Sequence, residues 1–115
     1  MDERLEKAIQ TANYMATLNT QKKLAYEEFT QNLIHYHNGS SFTANRELIN
    51  FVKTLIDMDY DDFVLLDDNN NPVEITNPKE FLDSLLGVYI QATNGYVGVY
   101  NSLKKKRRVE DLVNL

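Results

Sequence analysis

Val88-Tyr89-Ile90-Gln91-Ala92-Thr93-Asn94-Gly95-Tyr96-Val97-Gly98-Val99-Tyr100 admits two readings, and the fold turns on the choice between them. As a hairpin, Val88–Thr93 and Tyr96–Tyr100 are strands joined at Asn94-Gly95, a dipeptide suited to the positive φ angles of a type I′ turn. β-branched and aromatic residues crowd both arms. Gly87, Gly95 and Gly98 each weaken a helix by about 1 kcal/mol relative to Ala. As a helix, the stretch belongs to a longer seam. Leu82, Leu85, Tyr89, Ala92, Tyr96, Val99 and Leu103 recur three and four residues apart over three heptads. That coiled-coil-like spacing packs one helix lengthwise on another. Asn77-Pro78-Lys79-Glu80 supplies the start signal: Asn77 caps, Pro78 fits the first helical position, and Glu80 reaches back to close a capping box. The seam runs unbroken through the doubtful residues, so the sequence predicts a helix over 78–106.

Its partner is sought at the other end of the chain. Residues 2–37 contain no Pro or Gly, and Leu5, Ala8, Ala12 and Met15 recur at helical spacing with Ile9 alongside. Tyr26, Phe29, Leu33 and Tyr36 continue the pattern, but Asn19 and Lys22 interrupt it. A long helix over 2–37 is expected, with His37-Asn38-Gly39-Ser40-Ser41 as a loop and Gly39 at the helix C-terminus. Leu48, Phe51, Val52, Leu55 and Ile56 mark one face of a shorter helix over 44–58, with Thr43 as its N-cap. Phe63–Leu66 and Val73–Thr76 read as strands around Asp67-Asp68-Asn69-Asn70-Asn71-Pro72, a β-hairpin over 63–76. Pro72 cannot donate a ladder hydrogen bond and suits the start of an edge strand. A short turn or helix follows at 108–113.

The expected fold is therefore mainly α. It is a long antiparallel helical hairpin with a short middle helix and a small β-hairpin between the arms, in one domain over 1–115. The length of 115 residues suits one core and is too short for two well-packed ones. Hydrophobic residues at 43% and charged residues at 25% are the mix of a globular domain. Seven Tyr, five Phe and no Trp supply the aromatic surface, and each buried Tyr hydroxyl needs a partner.

The chemistry is read from what is present and what is missing. The chain has no Cys, which removes disulfides, thiol nucleophiles and thiolate metal sites together. Met1-Asp2-Glu3-Arg4-Leu5-Glu6 leads into no apolar run and is not a secretory signal. No stretch approaches the roughly 18 apolar residues of a membrane span, so a cytoplasmic location is expected. Asp57, Asp59 and Asp61 match the first ligand positions of a calcium loop, and Val64 its apolar position. The match then fails, with Asp62 in place of the turn Gly and Asp68 in place of the bidentate Glu. His35 and His37 share a face only if they lie on a strand. Exposed at a helix end, they suit its dipole. Ser40 and Ser41 sit in no nucleophile motif. No metal, cofactor or catalytic residue is expected, and the protein is read as a non-enzyme.

The net charge of −5 is uneven. Lys104-Lys105-Lys106-Arg107-Arg108 leaves the rest of the chain with seven basic residues against 17 acidic ones. The body repels nucleic acid, and only this run attracts it. Two functional readings follow. The first is a protein-interaction or assembly protein that self-associates, most simply as a dimer, with Leu82, Leu85, Tyr89, Ala92, Tyr96, Val99 and Leu103 as the interface and an unidentified protein as further partner. Phe81, Leu86, Val88, Val97 and Tyr100 widen that stripe past what one helix covers, and Gly95 and Gly98 permit close approach. The second is a nucleic-acid accessory protein binding through Lys104–Arg108.

Phe51-Val52-Lys53-Thr54-Leu55, Asn71-Pro72-Val73-Glu74-Ile75, Glu80-Phe81-Leu82-Asp83, Ala92-Thr93-Asn94 and Leu103-Lys104-Lys105 occur in that order. In this the chain resembles small uncharacterised proteins of T-even-like marine tailed phages. The resemblance implies a phage origin and a place in the infected host's cytoplasm or in the virion. It implies no activity.

Overall fold

The computed structural model describes residues 2–106. Along the chain run α1 (Glu3–Asn32), β1 (Ile34–His37), β2 (Ser40–Thr43), α2 (Arg46–Asp57), β3 (Phe63–Leu66), β4 (Pro72–Ile75) and α3 (Pro78–Lys105). The protein is mainly helical, with two small antiparallel hairpins between its long helices. Among the described residues, contacts divide the chain into two compact units, one over 30–93 and one made of the residues before and after it.

The stretch 88–100 is helical throughout, inside α3. Asn77 starts this helix, but Glu80 closes the cap differently from a capping box. Its carboxylate accepts from the Asn77 side-chain amide at 2.8 Å. The other Asn-Gly pair makes the turn. Asn38 and Gly39 have φ of 50° and 81°, and the strands on either side pair with Ile34 opposite Thr43 and His37 opposite Ser40. The long helix expected over 2–37 thus ends at Asn32, and 34–37 is a strand. The reason is local. Asn-Gly between Ile-His-Tyr-His and Ser-Ser-Phe-Thr is a hairpin signal, whereas Asn94-Gly95 lies inside an established helical seam.

The 30–93 unit has a continuous core of Phe42, Ala44, Val52, Leu65, Ile75, Phe81, Leu82 and Leu85. Helix α2 is strongly amphipathic and turns Val52, Leu55 and Ile56 inward. Its N-cap is Asn45, not Thr43; the Asn45 carboxamide oxygen accepts from the Leu48 N–H at 2.9 Å. Thr43 instead closes the β1–β2 ladder and gives both its N–H and its hydroxyl to Asp68. The helix ends in a Schellman turn: Tyr60 N–H donates to Leu55 C=O and Asp59 N–H to Ile56 C=O, with Asp59 at φ 66°. Strands β3 and β4 pair from Phe63–Ile75 to Leu66–Pro72. Asp67 organises their loop by accepting from the N–H groups of Asn69 and Asn71, both at 2.9 Å.

In the other unit α1 and α3 run antiparallel. Tyr14 donates its hydroxyl to the Lys106 carbonyl at 2.7 Å, while Phe29 stacks on Tyr96 at 4.9 Å. Ala25 and Leu103 are buried there, flanked by Tyr14, Leu18 and Tyr96. The interruption at Asn19 and Lys22 has a geometric cause. Tyr14, Leu18, Ala25 and Phe29 lie on one side of α1. Leu5, Ala8, Ile9 and Ala12 lie on roughly the opposite side at about 100° per residue, and all four are exposed. The sequence pattern spliced two different faces into one stripe.

Candidate interaction surface

The seam read from the sequence divides into residues the chain covers itself and residues it leaves outside. Leu82, Leu85, Ala92 and Leu103 are buried. Leu82 and Leu85 belong to the larger core, and Leu103 packs with Ala25. Tyr89 and Tyr96 are half-buried, and Val99 is exposed. The interface expected from this seam is corrected accordingly: Leu82, Leu85 and Leu103 pack inside the chain, and Ala92 is also buried. Phe81, placed on the widened stripe, is also core.

What α3 offers outward is a different line. Ile90 is 54% exposed and Val97 51%, with Leu86 also exposed. A Cβ added at Gly87, Gly95 or Gly98 meets no atom within 4 Å, so intrachain packing does not require these glycines. Between Asp83 and Lys104 the helix carries no charged residue, in a chain that is 25% charged. The sequence shows this absence, but spacing alone merges the buried and exposed faces of α3 into one wide stripe.

The basic end is partly described. Lys104 and Lys105 are exposed in the last turn of α3, and Lys106 is half-buried. The ammonium of Lys104 lies 4.8 Å from the centroid of the Tyr100 ring, and that of Lys22 lies 5.7 Å from it. One aromatic ring thus gathers two cations. Arg107, Arg108 and the turn or helix expected at 108–113 lie outside the described residues.

The remaining candidates take structural places. His35 and His37 share one face of β1, with ring centroids 6.4 Å apart. Both pack on Phe81, at 5.8 Å and 5.1 Å. Burial, and then the neighbouring His37, hold the His35 pKa below its ordinary 6.5. Asp57 is held by Lys53 at 2.6 Å, and Asp59 forms the helix end. Among the described residues no three His, Cys, Asp or Glu side chains are grouped to hold a metal ion. A groove of about 640 Å³ opens between the end of α2 and the start of α3, lined by Lys53, Asp57, Tyr60, Asp61 and Lys79. Among the described residues no helix is long and apolar enough to cross a membrane.

Compared with family models, curated proteins and solved structures, the chain gives no match.

Proposed function

We propose that this chain is a non-enzymatic interaction protein, an assembly or adaptor component that self-associates and takes a further protein partner. The observation that carries the reading lies in α3: its twenty residues 84–103 carry no charge, and its outer line leaves Leu86, Ile90 and Val97 in solvent. Charged residues are depleted at the centres of protein interfaces, and an exposed apolar helix face is a recurring site of protein contact. Gly87 and Gly98, in open space beside this line, weaken the helix by about 1 kcal/mol each, and they let a neighbouring backbone come close. The phage resemblance fits this role, as a component or host-factor modulator working in the infected cytoplasm or the virion.

The test substitutes Ile90→Glu. The residue is exposed, so the fold is expected to stand, while self-association and partner capture are lost. Unchanged self-association and capture would remove α3 from the account.

The second reading, nucleic-acid binding, is favoured by Lys104 and Lys105 exposed at the helix end. A mobility-shift titration against salt separates the two. Binding to DNA or RNA that survives moderate salt and vanishes when Lys104–Arg108 become Ala would put this reading first. No retention above low salt is the outcome expected here.

A further inference from the structure

The outer line of α3 has an internal symmetry. Asp83, Leu86, Ile90, Val97, Asn101 and Lys104 are all exposed and follow one line along the helix. The intervals between them are three, four, seven, four and three residues, the same read in either direction. The residues repeat in character only at the centre, Ile90 with Val97; Leu86 mirrors Asn101, and the ends differ in charge. The line is acidic at Asp83, basic at Lys104, and uncharged between.

We propose that two copies of the chain pair antiparallel along α3, about a two-fold axis between Thr93 and Asn94. This rests on the self-association proposed above and names its surface and its geometry. Antiparallel pairing lays Ile90 of each copy against Val97 of the other, Leu86 against Asn101, and Asp83 against Lys104. The apolar pairs come to the centre and the opposite charges to the two ends. A two-fold contact places the same patch on both copies, so each pair occurs twice. Parallel pairing of the same line would set Asp83 on Asp83 and Lys104 on Lys104, like charges that repel. Asp83 makes no ion pair among the described residues, and Lys104 rests on the Tyr100 ring at the exposed edge. Both are therefore placed to meet a second copy. The uncharged middle suits a second copy better than a charged partner, because a symmetric contact brings every group near the axis close to its own twin.

The chain has no Cys, so single cysteines report the pairing without background. Asn94 is exposed and nearly on the axis, and Asn94→Cys in the full-length chain is expected to form a disulfide-linked dimer on mild oxidation. Leu86→Cys is expected to stay unlinked. At about 1.5 Å per residue its two copies lie about 22 Å apart along the helices, beyond disulfide reach. In the Asn94→Cys background, Asp83→Lys alone and Lys104→Glu alone are each expected to lower the cross-linked yield several-fold, and the two together to restore it. Equal linking of Leu86→Cys and Asn94→Cys, or failure of the double charge reversal to restore the yield, overturns the antiparallel pairing. If Asn94→Cys stays unlinked while the wild-type mass is that of a dimer, this pairing falls and self-association stands. A wild-type monomer overturns both.

Discussion

Gly95→Ala separates the two readings of 88–100 by the sign of its effect. In α3 this glycine has helical backbone, since Gly39 is the one glycine with positive φ among the described residues. The added methyl group meets nothing within 4 Å, and Gly95 lies off the line that carries Ile90 and Val97. No steric term opposes the gain. What remains is the helix propensity difference, with Ala better than Gly by about 1 kcal/mol, much of it from reduced freedom of the unfolded chain. For a chain of this size that corresponds to a rise in Tm of about 4 °C. Urea denaturation measures it directly, with the midpoint moving up and the slope unchanged. In a type I′ turn the same residue would need positive φ, and Ala there would destabilise by about 1 kcal/mol or more. A lowered midpoint would therefore refute the helix, and with it the seam argument that extended α3 through Asn94-Gly95.

Gly39→Ala is the opposite case: at φ 81° it is expected to lower stability by about 1 kcal/mol, read in the same urea titration. Leu85→Ala empties a fully buried site in the larger core and is expected to cost about 3 kcal/mol; a loss below about 1 kcal/mol would mean that Leu85 is not core. Stability is expected to fall as pH drops below about 6.5. The unfolded chain takes up a proton on His35 near its ordinary value while the folded chain resists it, so the contribution is whole above 6.5 and lost as pH falls through the lowered folded value. Thermal melts of wild type and His35→Gln across pH 5 to 8 test this, and equal slopes in that range would contradict it.

The legible parts of the fold were those where independent local signals agreed. At Asn77-Pro78 a cap, a proline and a seam pointed to one helix, and α3 begins there. The β3–β4 hairpin was marked by a turn-rich run between two short apolar strands. The β1–β2 hairpin was hidden because Ile34-His35-Tyr36-His37 follows a long glycine-free helix and its apolar residues continue the helical spacing. Asn38-Gly39 carried the correction, but it also suits a helix end. Thr43 and Asn45 both qualify as caps by residue type; the ladder to β1 and the reach of Asp68, a residue 25 positions away, decide for Asn45. The candidate surface was only half legible. Spacing placed the apolar residues of α3 on helical faces, but which face meets the core depends on α1 and the small sheets, and periodicity does not carry that information.

The central claim is that the exposed, uncharged line on α3 joins copies of this chain. Multi-angle light scattering on the wild-type protein at about 50 μM, a concentration at which a micromolar dimer is almost fully formed, measures it with no label and no substitution. The expected mass is twice the 13.3 kDa of the chain, falling to that of the single chain in Ile90→Glu. A wild-type mass of 13.3 kDa, or an Ile90→Glu variant that remains dimeric, would contradict it.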